Sequence, residues 1–173
     1  MVGIRSIAIA VSLVAVAAPA IAADYVEQIV SPVFEAPGDR AALTRRAGTC
    51  LAQSNAGSPA AIRSDEVGGT VVGAVLFSYS QAAVPWSVRS TLTVELKDGR
   101  FRLTHTNLTQ KQGGPAVPSG SSILSDSVDQ RTEGGWMRVG DWRFSGAEKV
   151  RAAADAVSQR IANCIESKAK EDW

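Results

Sequence analysis

Apolar and polar residues alternate most regularly in two runs, 87–97 and 100–108, which flank the pair Asp98-Gly99. An Asp-Gly pair favours a two-residue hairpin turn, because both of its residues tolerate positive φ angles. Such a turn also fixes the register of the two strands. The predicted opposite pairs are Lys97 with Arg100, Leu96 with Phe101, Val94 with Leu103, and Leu92 with His105.

This register sorts the hairpin side chains into two faces, because successive residues of a strand point to opposite sides. One face is apolar apart from His105 and is predicted to lie in the core. The other face is polar and rich in threonine, with Glu95 and Arg102 forming a cross-strand ion pair worth a few tenths of a kcal/mol. Its threonines are Thr91, Thr93, Thr104 and Thr106.

Other patterns place elements on both sides of the hairpin. Tyr25 to Phe34 is predicted to be a strand that ends at the turn Pro37-Gly38. Asp39 then caps a helix whose apolar stripe, Leu43, Ala47, Cys50 and Leu51, ends before Asn55. Two further strands, Ala61 to Glu66 and Thr70 to Tyr79, flank the turn Gly68-Gly69.

The last helix begins at a capping box. Ser145 is expected to accept from the third helical N–H, while Glu148 reaches back. Its apolar stripe contains Val150, Ala154, Val157, Ile161 and Cys164, and it continues to about Lys168. The segment 110–144 before it fits either an extra strand or a short helix. The expected architecture is α+β: an antiparallel sheet of about five strands with both helices packed on one face.

Two stretches carry a resemblance to a known family. They are Ile62 to Val71, with an acidic turn between two strands, and Thr91 to Arg102, with the Asp-Gly hairpin. The sequence resembles a bacterial family of exported proteins of unknown function with a TBP-like fold, of order β-α-β-β-β-β-α. That family has no agreed activity, so the resemblance implies no functional residues. A cystatin-like or NTF2-like sheet with a packed helix is the alternative fold.

The chain begins with the pattern of a secretory signal. Arg5 precedes an apolar run from Ile7 to Ala18, and Pro19 is followed by the small-residue triplet Ala20-Ile21-Ala22. Residues 1–23 are therefore predicted to be a signal peptide, and 24–173 a single domain with a flexible insertion at about 110–144. The alternative, an uncleaved anchor, is disfavoured by the short, Ala-rich apolar run. The expected location is periplasmic or secreted, with no membrane anchor after cleavage.

The charge balance excludes two classes of partner. Eighteen Lys and Arg residues stand against seventeen Asp and Glu residues, and the signal contains one of the basic ones, Arg5. The remaining domain is near neutrality, whereas nucleic-acid binders and polybasic membrane-surface proteins need a surplus of basic residues. We therefore expect neither nucleic acid nor a membrane surface as partner.

The sequence contains no pattern typical of catalysis. His105 is the only histidine, which excludes sites that need two imidazoles, and Cys-x-x-Cys is absent. The serines lie outside nucleophile motifs, and no glycine pattern for phosphates or dinucleotides occurs. We expect no metal and no cofactor, and a structural role for His105.

The two cysteines lie on the apolar stripes of the two predicted helices. Both helices are expected on the same face of the sheet, and an exported protein meets an oxidising compartment. A disulfide between Cys50 and Cys164 is therefore predicted; the alternative is two separate buried thiols.

Tryptophans are the most informative residues for binding, because an indole offers a large apolar face and one N–H donor. Trp86, Trp136 and Trp142, with Arg102 on the polar face, are the candidate binding residues. In the alternative interpretation the indoles cover the sheet edge or cap the helix layer. Two functions remain open: a non-catalytic module that binds an envelope protein, a peptide or a cell-wall component, or a periplasmic hydrolase or isomerase.

The export hypothesis predicts a mature N-terminus at Ala23 or Asp24, because signal peptidases cleave after small residues. Mass spectrometry of the protein recovered from the bacterial envelope checks this. An intact Met1 in the membrane pellet would contradict it.

Overall fold

The computed structural model describes residues 25–54, 62–113, 131–132, 135–141 and 145–171, and it confirms the α+β class. Within these ranges, eight strands form one antiparallel sheet, and two helices cover one of its faces. The elements are β1 Gln28–Val30, β2 Phe34–Glu35, α1 Arg40–Ser54, β3 Arg63–Asp65, β4 Thr70–Gln81, β5 Val84–Lys97, β6 Arg100–Gln112, β7 Arg131–Thr132, β8 Trp136–Arg138 and α2 Ala147–Glu171.

The β5–β6 hairpin has the predicted register, from Lys97 opposite Arg100 to Leu92 opposite His105. Gly99 occupies the turn at φ 73°, a conformation that costs glycine little. The turn also fixes the start of α1, because Asp98 Oδ1 accepts from the backbone N–H of Arg40 at 2.8 Å. Asp39 caps the helix as predicted, accepting from Ala42 at 2.7 Å. The hairpin thus positions the first helix over the sheet.

One predicted strand is wrong: Tyr25 to Phe34 forms two short strands, β1 and β2, with a break at residues 31–33. Pro32 has no N–H to donate to a sheet ladder. Beside it the buried Ser31 Oγ accepts from the N–H of Leu103 at 3.0 Å, in addition to the backbone bond from Ser31 N–H to the Leu103 carbonyl at 2.9 Å. Both strands still pair with β6.

The outer edge of β6 is covered by three short strands in a row. β2, β1 and β8 pair with successive parts of it, and β8 lies in the segment 110–144 that the sequence pattern left unassigned. Val26 N–H donates to the Val139 carbonyl at 2.9 Å and so joins β1 to β8. Within the predicted flexible insertion at about 110–144, residues 114–130, 133–134 and 142–144 lie outside the described residues.

Strand β6 continues past the predicted end at Leu108, and a bulge changes its alternation there. Asn107 has φ 53°, and the pairing with β5 shifts between Arg89 and Thr91. Asparagine tolerates this left-handed conformation better than most residues. Beyond the bulge, Leu108 and Gln110 face the helices, and Thr109 faces the opposite side.

The core lies between the sheet and the helices. The apolar stripe of α1 and that of α2 pack on the alternating inward residues of β4, β5 and β6. Burying one such aliphatic side chain stabilises the fold by about 1.5–3 kcal/mol. Fully buried members are Leu43, Leu51, Val71, Leu92, Val94, Leu103, Ile161 and Ile165.

Helix α2 begins against Tyr79. Gly146 has φ 85°, and a Cβ at this position would lie 2.7 Å from the Tyr79 hydroxyl, so only glycine fits. The predicted capping box is partly wrong, since Ser145 Oγ accepts from the N–H of Ala147 at 3.2 Å and not from that of Glu148. The left-handed conformation of Gly146 turns the chain so that the Ala147 N–H, rather than that of Glu148, reaches the Ser145 hydroxyl.

The predicted disulfide between Cys50 and Cys164 is confirmed. It joins α1 to α2 across 114 residues of sequence, and no described cysteine is free.

Replacing both residues, Cys50→Ala with Cys164→Ala, should lower the free energy of unfolding by about 2–5 kcal/mol, because the unfolded chain loses a constraint on a long loop. Urea unfolding of the mature protein and the variant measures this. Two free thiols in the unfolded, unreduced protein would contradict the bridge.

Candidate functional site

The face of the sheet opposite the helices is a polar surface, here named the open face. It consists of outward residues of β1 to β6 and of β8, and neither described helix contacts it. Its rows follow the strand pairing: Val72, Thr93, Thr104 and Val30; Ala74, Thr91, Thr106 and Gln28; Leu76, Arg89, Thr109 and Arg138. The threonine-rich centre is the one the sequence pattern predicts.

The structure brings only some of the sequence-predicted binding residues to this face. Trp136, on β8, and Arg102, on β6, both lie on it. Trp86 lies on the helix side, stacked on Tyr79 with ring centroids 6.2 Å apart and partly buried against the core. The position of Trp86 therefore agrees with the alternative interpretation, in which the indoles cover the sheet edge or cap the helix layer. Trp142 lies outside the described residues.

Arg102 binds its predicted partner. Its Nη2 donates to Glu95 Oε2 at 2.6 Å, and both side chains are about half exposed. A pair this exposed contributes little stability because water and salt screen it.

A cluster of arginines on aromatic rings occupies the end of the open face near β8. The guanidinium carbon of Arg89 lies 4.6 Å from the centroid of the Trp136 ring, and Arg89 Nε donates to Thr109 Oγ1 at 2.9 Å. Arg138 lies 4.0 Å over the ring of Tyr25 and donates to Glu27 at 2.8 Å. We name Arg89, Trp136, Arg138 and Tyr25 the arginine–aromatic cluster.

Such stacking orders a charge that would otherwise move freely. An arginine over an aromatic face gains about 0.5–1 kcal/mol at an exposed site. Its planar fork also loses less entropy when it binds a carboxylate or phosphate. The cluster can therefore present oriented N–H donors to an acidic group.

Sequence reasoning found Trp136 but missed Arg89, Arg138 and Tyr25. Trp136 and Arg138 are two residues apart, the spacing of one face of a strand. A strand predicted at residues 136–138 would therefore place Trp136 and Arg138 on the same face. Arg89 is hydrogen-bonded to Thr109, which the bulge at Asn107 turns to the open face, and no sequence pattern predicts that bulge.

His105 lies on the other face and is fully buried. Its Nδ1 is 2.9 Å from Ser90 Oγ and its Nε2 is 3.1 Å from Ser158 Oγ on α2. The Phe77 ring packs edge-on, with centroids 5.8 Å apart. Burial lowers the pKa of His105 to about 4, although a hydrogen bond with the backbone of Ala154 raises it in part.

This arrangement pairs a histidine with a serine but gives the pair no access to a substrate. A general base needs a proton within reach and a pKa near the working pH. Both hydroxyl partners are buried, and no described carboxylate bonds to the ring. The geometry is that of a hydrogen-bonded link between the sheet and α2.

The described residues offer neither a metal site nor a membrane-spanning helix. Among the described residues, no group of three or more His, Cys, Asp or Glu side chains is arranged to hold a metal ion. Neither described helix is long and apolar enough to cross a membrane.

Comparison with known proteins shows a likeness in fold. No family model matches the chain, and no curated protein sequence matches it. A DUF4468 family protein from Bacteroides ovatus matches with a TM-score of 0.52 and 14% identity, over 80% of this chain and 85% of that one. A TBP-like protein from Parabacteroides distasonis matches with a TM-score of 0.42 and 9% identity, over 51% of this chain. The match spans 58% of that protein's length.

The likeness to the Bacteroides ovatus protein shows that the chain shares its fold with a bacterial domain of unknown function. This agrees with the family resemblance and the α+β layout inferred from the sequence. At these identities nothing about ligands or activity is transferred.

The buried His105 predicts a pH dependence of stability. Its pKa lies below the ordinary 6.5 in the folded protein, so the unfolded chain binds the proton more tightly. The free energy of unfolding should therefore fall by about 2 kcal/mol between about pH 7 and pH 5. Urea unfolding at each pH measures it.

The control is His105→Gln, which removes the only histidine of the chain. Its free energy of unfolding should lack this slope, whatever its absolute value. An equal slope in both proteins would show that another group causes the effect.

Proposed function

We propose that this chain is an exported, non-catalytic binding module of the bacterial envelope. Its open face and Trp136 contact a partner that carries acidic groups, which is an envelope protein, a peptide or a cell-wall component. The observation that carries the proposal is the arginine–aromatic cluster, in which Arg89 is stacked on Trp136 and hydrogen-bonded to Thr109.

The charges of the open face support an acidic partner. Among the described residues, seven exposed basic residues point to this side against four acidic ones, although the whole chain has a net charge of only +1. A local excess of one sign steers a partner of the opposite sign and fixes its orientation. The basic residues are Arg63, Arg89, Lys97, Arg100, Arg102, Lys111 and Arg138, and the acidic ones are Glu27, Glu35, Asp65 and Glu95.

The apolar side chains of the open face add contact area. Leu76 is 54% exposed and lies in the same row as Arg89, while Val30 is 44% exposed beside Thr104. Interfaces combine such apolar contacts with aromatic and arginine anchors, which carry most of the binding energy. Leu76 and Val30 flank the threonine-rich centre on opposite sides.

The hydrolase or isomerase alternative has one observation in its favour, the hydrogen bond between Ser90 and His105. That pair is buried beneath α2, and a substrate would reach it only after the helix moved away. The open face needs no such rearrangement, so we favour binding over catalysis.

Export is supported by the signal pattern of residues 1–23 and by the disulfide, since structural disulfides persist in oxidising compartments. Trp142 stays a predicted contact on the basis of its sequence position. A periplasmic or secreted location follows from the same proposal.

The proposal predicts that Trp136→Ala with Arg89→Gln weakens partner binding at least tenfold, because one anchor and its oriented charge are lost. The mature protein is tested for co-sedimentation with purified cell-wall sacculi and, separately, for capture of proteins from envelope extract. The melting temperature should stay within a few degrees, since both residues lie outside the core.

The matched control is Trp86→Ala, which removes an indole from the helix side. It should lower stability and leave binding intact. If Trp86→Ala abolished binding while the Trp136 and Arg89 variant bound normally, the open face would not be the contact surface.

A further inference from the structure

A second surface lies beside the outer edge of β4, where a groove of about 280 Å³ runs between the sheet and the helices. Its walls include the disulfide Cys50–Cys164 and side chains of α2. Both Val75 and Leu76 line it, although neighbouring residues of a strand point to opposite faces. A groove that touches both must lie along the edge of the strand.

Among the described residues, this edge of β4 is paired over only part of its length. β3 pairs only with Thr70, Val71 and Val72. Within the described part of the chain, no strand pairs with the outer side of Val75 to Ser80. An uncovered edge presents backbone N–H and C=O groups that can add an extended peptide as a further strand.

The groove has an apolar floor and a single charge. Val75, Val157 and Ile161 form the floor and are themselves at least 95% buried. Arg160 also lines the groove and is exposed, and no ion pair or hydrogen bond to its side chain occurs among the described residues. An apolar surface beside an unpaired cation is complementary to an apolar side chain beside a carboxylate.

We propose that the outer edge of β4 and this groove bind an extended peptide segment. The peptide pairs with Val75 to Ser80, places an apolar side chain on the groove floor, and places an acidic side chain two residues away against Arg160. The spacing of two follows from strand alternation, which directs both side chains toward the helices. A fatty acid would satisfy the floor and Arg160 but not the backbone groups of β4, so the edge favours a peptide. The groove meets the open face only at Leu76, and its floor and Arg160 lie on the helix side.

The test uses ¹⁵N-labelled mature protein and the probe acetyl-Thr-Val-Thr-Val-Thr-Glu-amide, with a matched peptide in which Gln replaces Glu. Backbone amide shifts are followed during titration to millimolar peptide. The Glu peptide should shift the amides of Val75 to Ser80 and of Arg160, and should bind about fivefold more tightly than the Gln peptide, as expected for one partly exposed ion pair.

Arg160→Gln should remove the difference between the two peptides. The matched control, Lys149→Gln, changes an exposed lysine of the same helix outside the groove and should keep the difference. These two variants distinguish the groove from a general effect of charge.

Several results would overturn the proposal. They are the absence of any shift, shifts confined to the open face, or equal binding of the two peptides. Shifts of the β4 amides on raising the protein concentration alone would show that a second copy covers this edge. Sodium laurate that shifts Val157 and Ile161, where the Glu peptide shifts nothing on β4, would identify a lipid site.

Discussion

The pairing of β5 with β6 is the constraint on which the other elements depend. The Asp98-Gly99 turn sets its register, and that register decides which side chains of both strands enter the core. The same turn accepts the first amide of α1 through Asp98 and thereby positions the helix over the apolar face. The disulfide then joins α1 to α2, and His105 links α2 to β6 through Ser158. Both helices therefore pack on one face of the sheet, and the polar residues lie on the other face.

Much of this could be predicted from the sequence because the signals are local. The Asp-Gly turn, the strict alternation around it and the capping residue Asp39 each act within a few residues. The disulfide was also predictable, since Cys50 and Cys164 continue apolar stripes that face the same sheet. For the candidate site the sequence indicated the threonine-rich face, Arg102 and Trp136.

Other features depend on contacts that no local pattern encodes. The β4–β5 turn consists of Ala82 and Ala83 at φ 50° and 62°, where glycine or asparagine would be expected. The bulge at Asn107 reverses the alternation of β6, so that Thr109 lies on the open face and accepts from Arg89. The sequence makes Trp86 a candidate binding residue through its indole, and no pattern shows which face of its strand it occupies. Its partner Tyr79 shows it to be part of the helix layer.

The central claim is that the sheet has one closed face and one open face. Two single-cysteine probes on adjacent residues of β5 test it, Thr93→Cys on the open face and Val94→Cys in the core, since the native cysteines are bonded to each other. Reaction with a water-soluble thiol reagent in the native protein should be about a hundredfold faster or more at position 93, because position 94 must wait for an opening of the fold. Equally slow reaction at both positions would show that the open face is covered and would contradict the account.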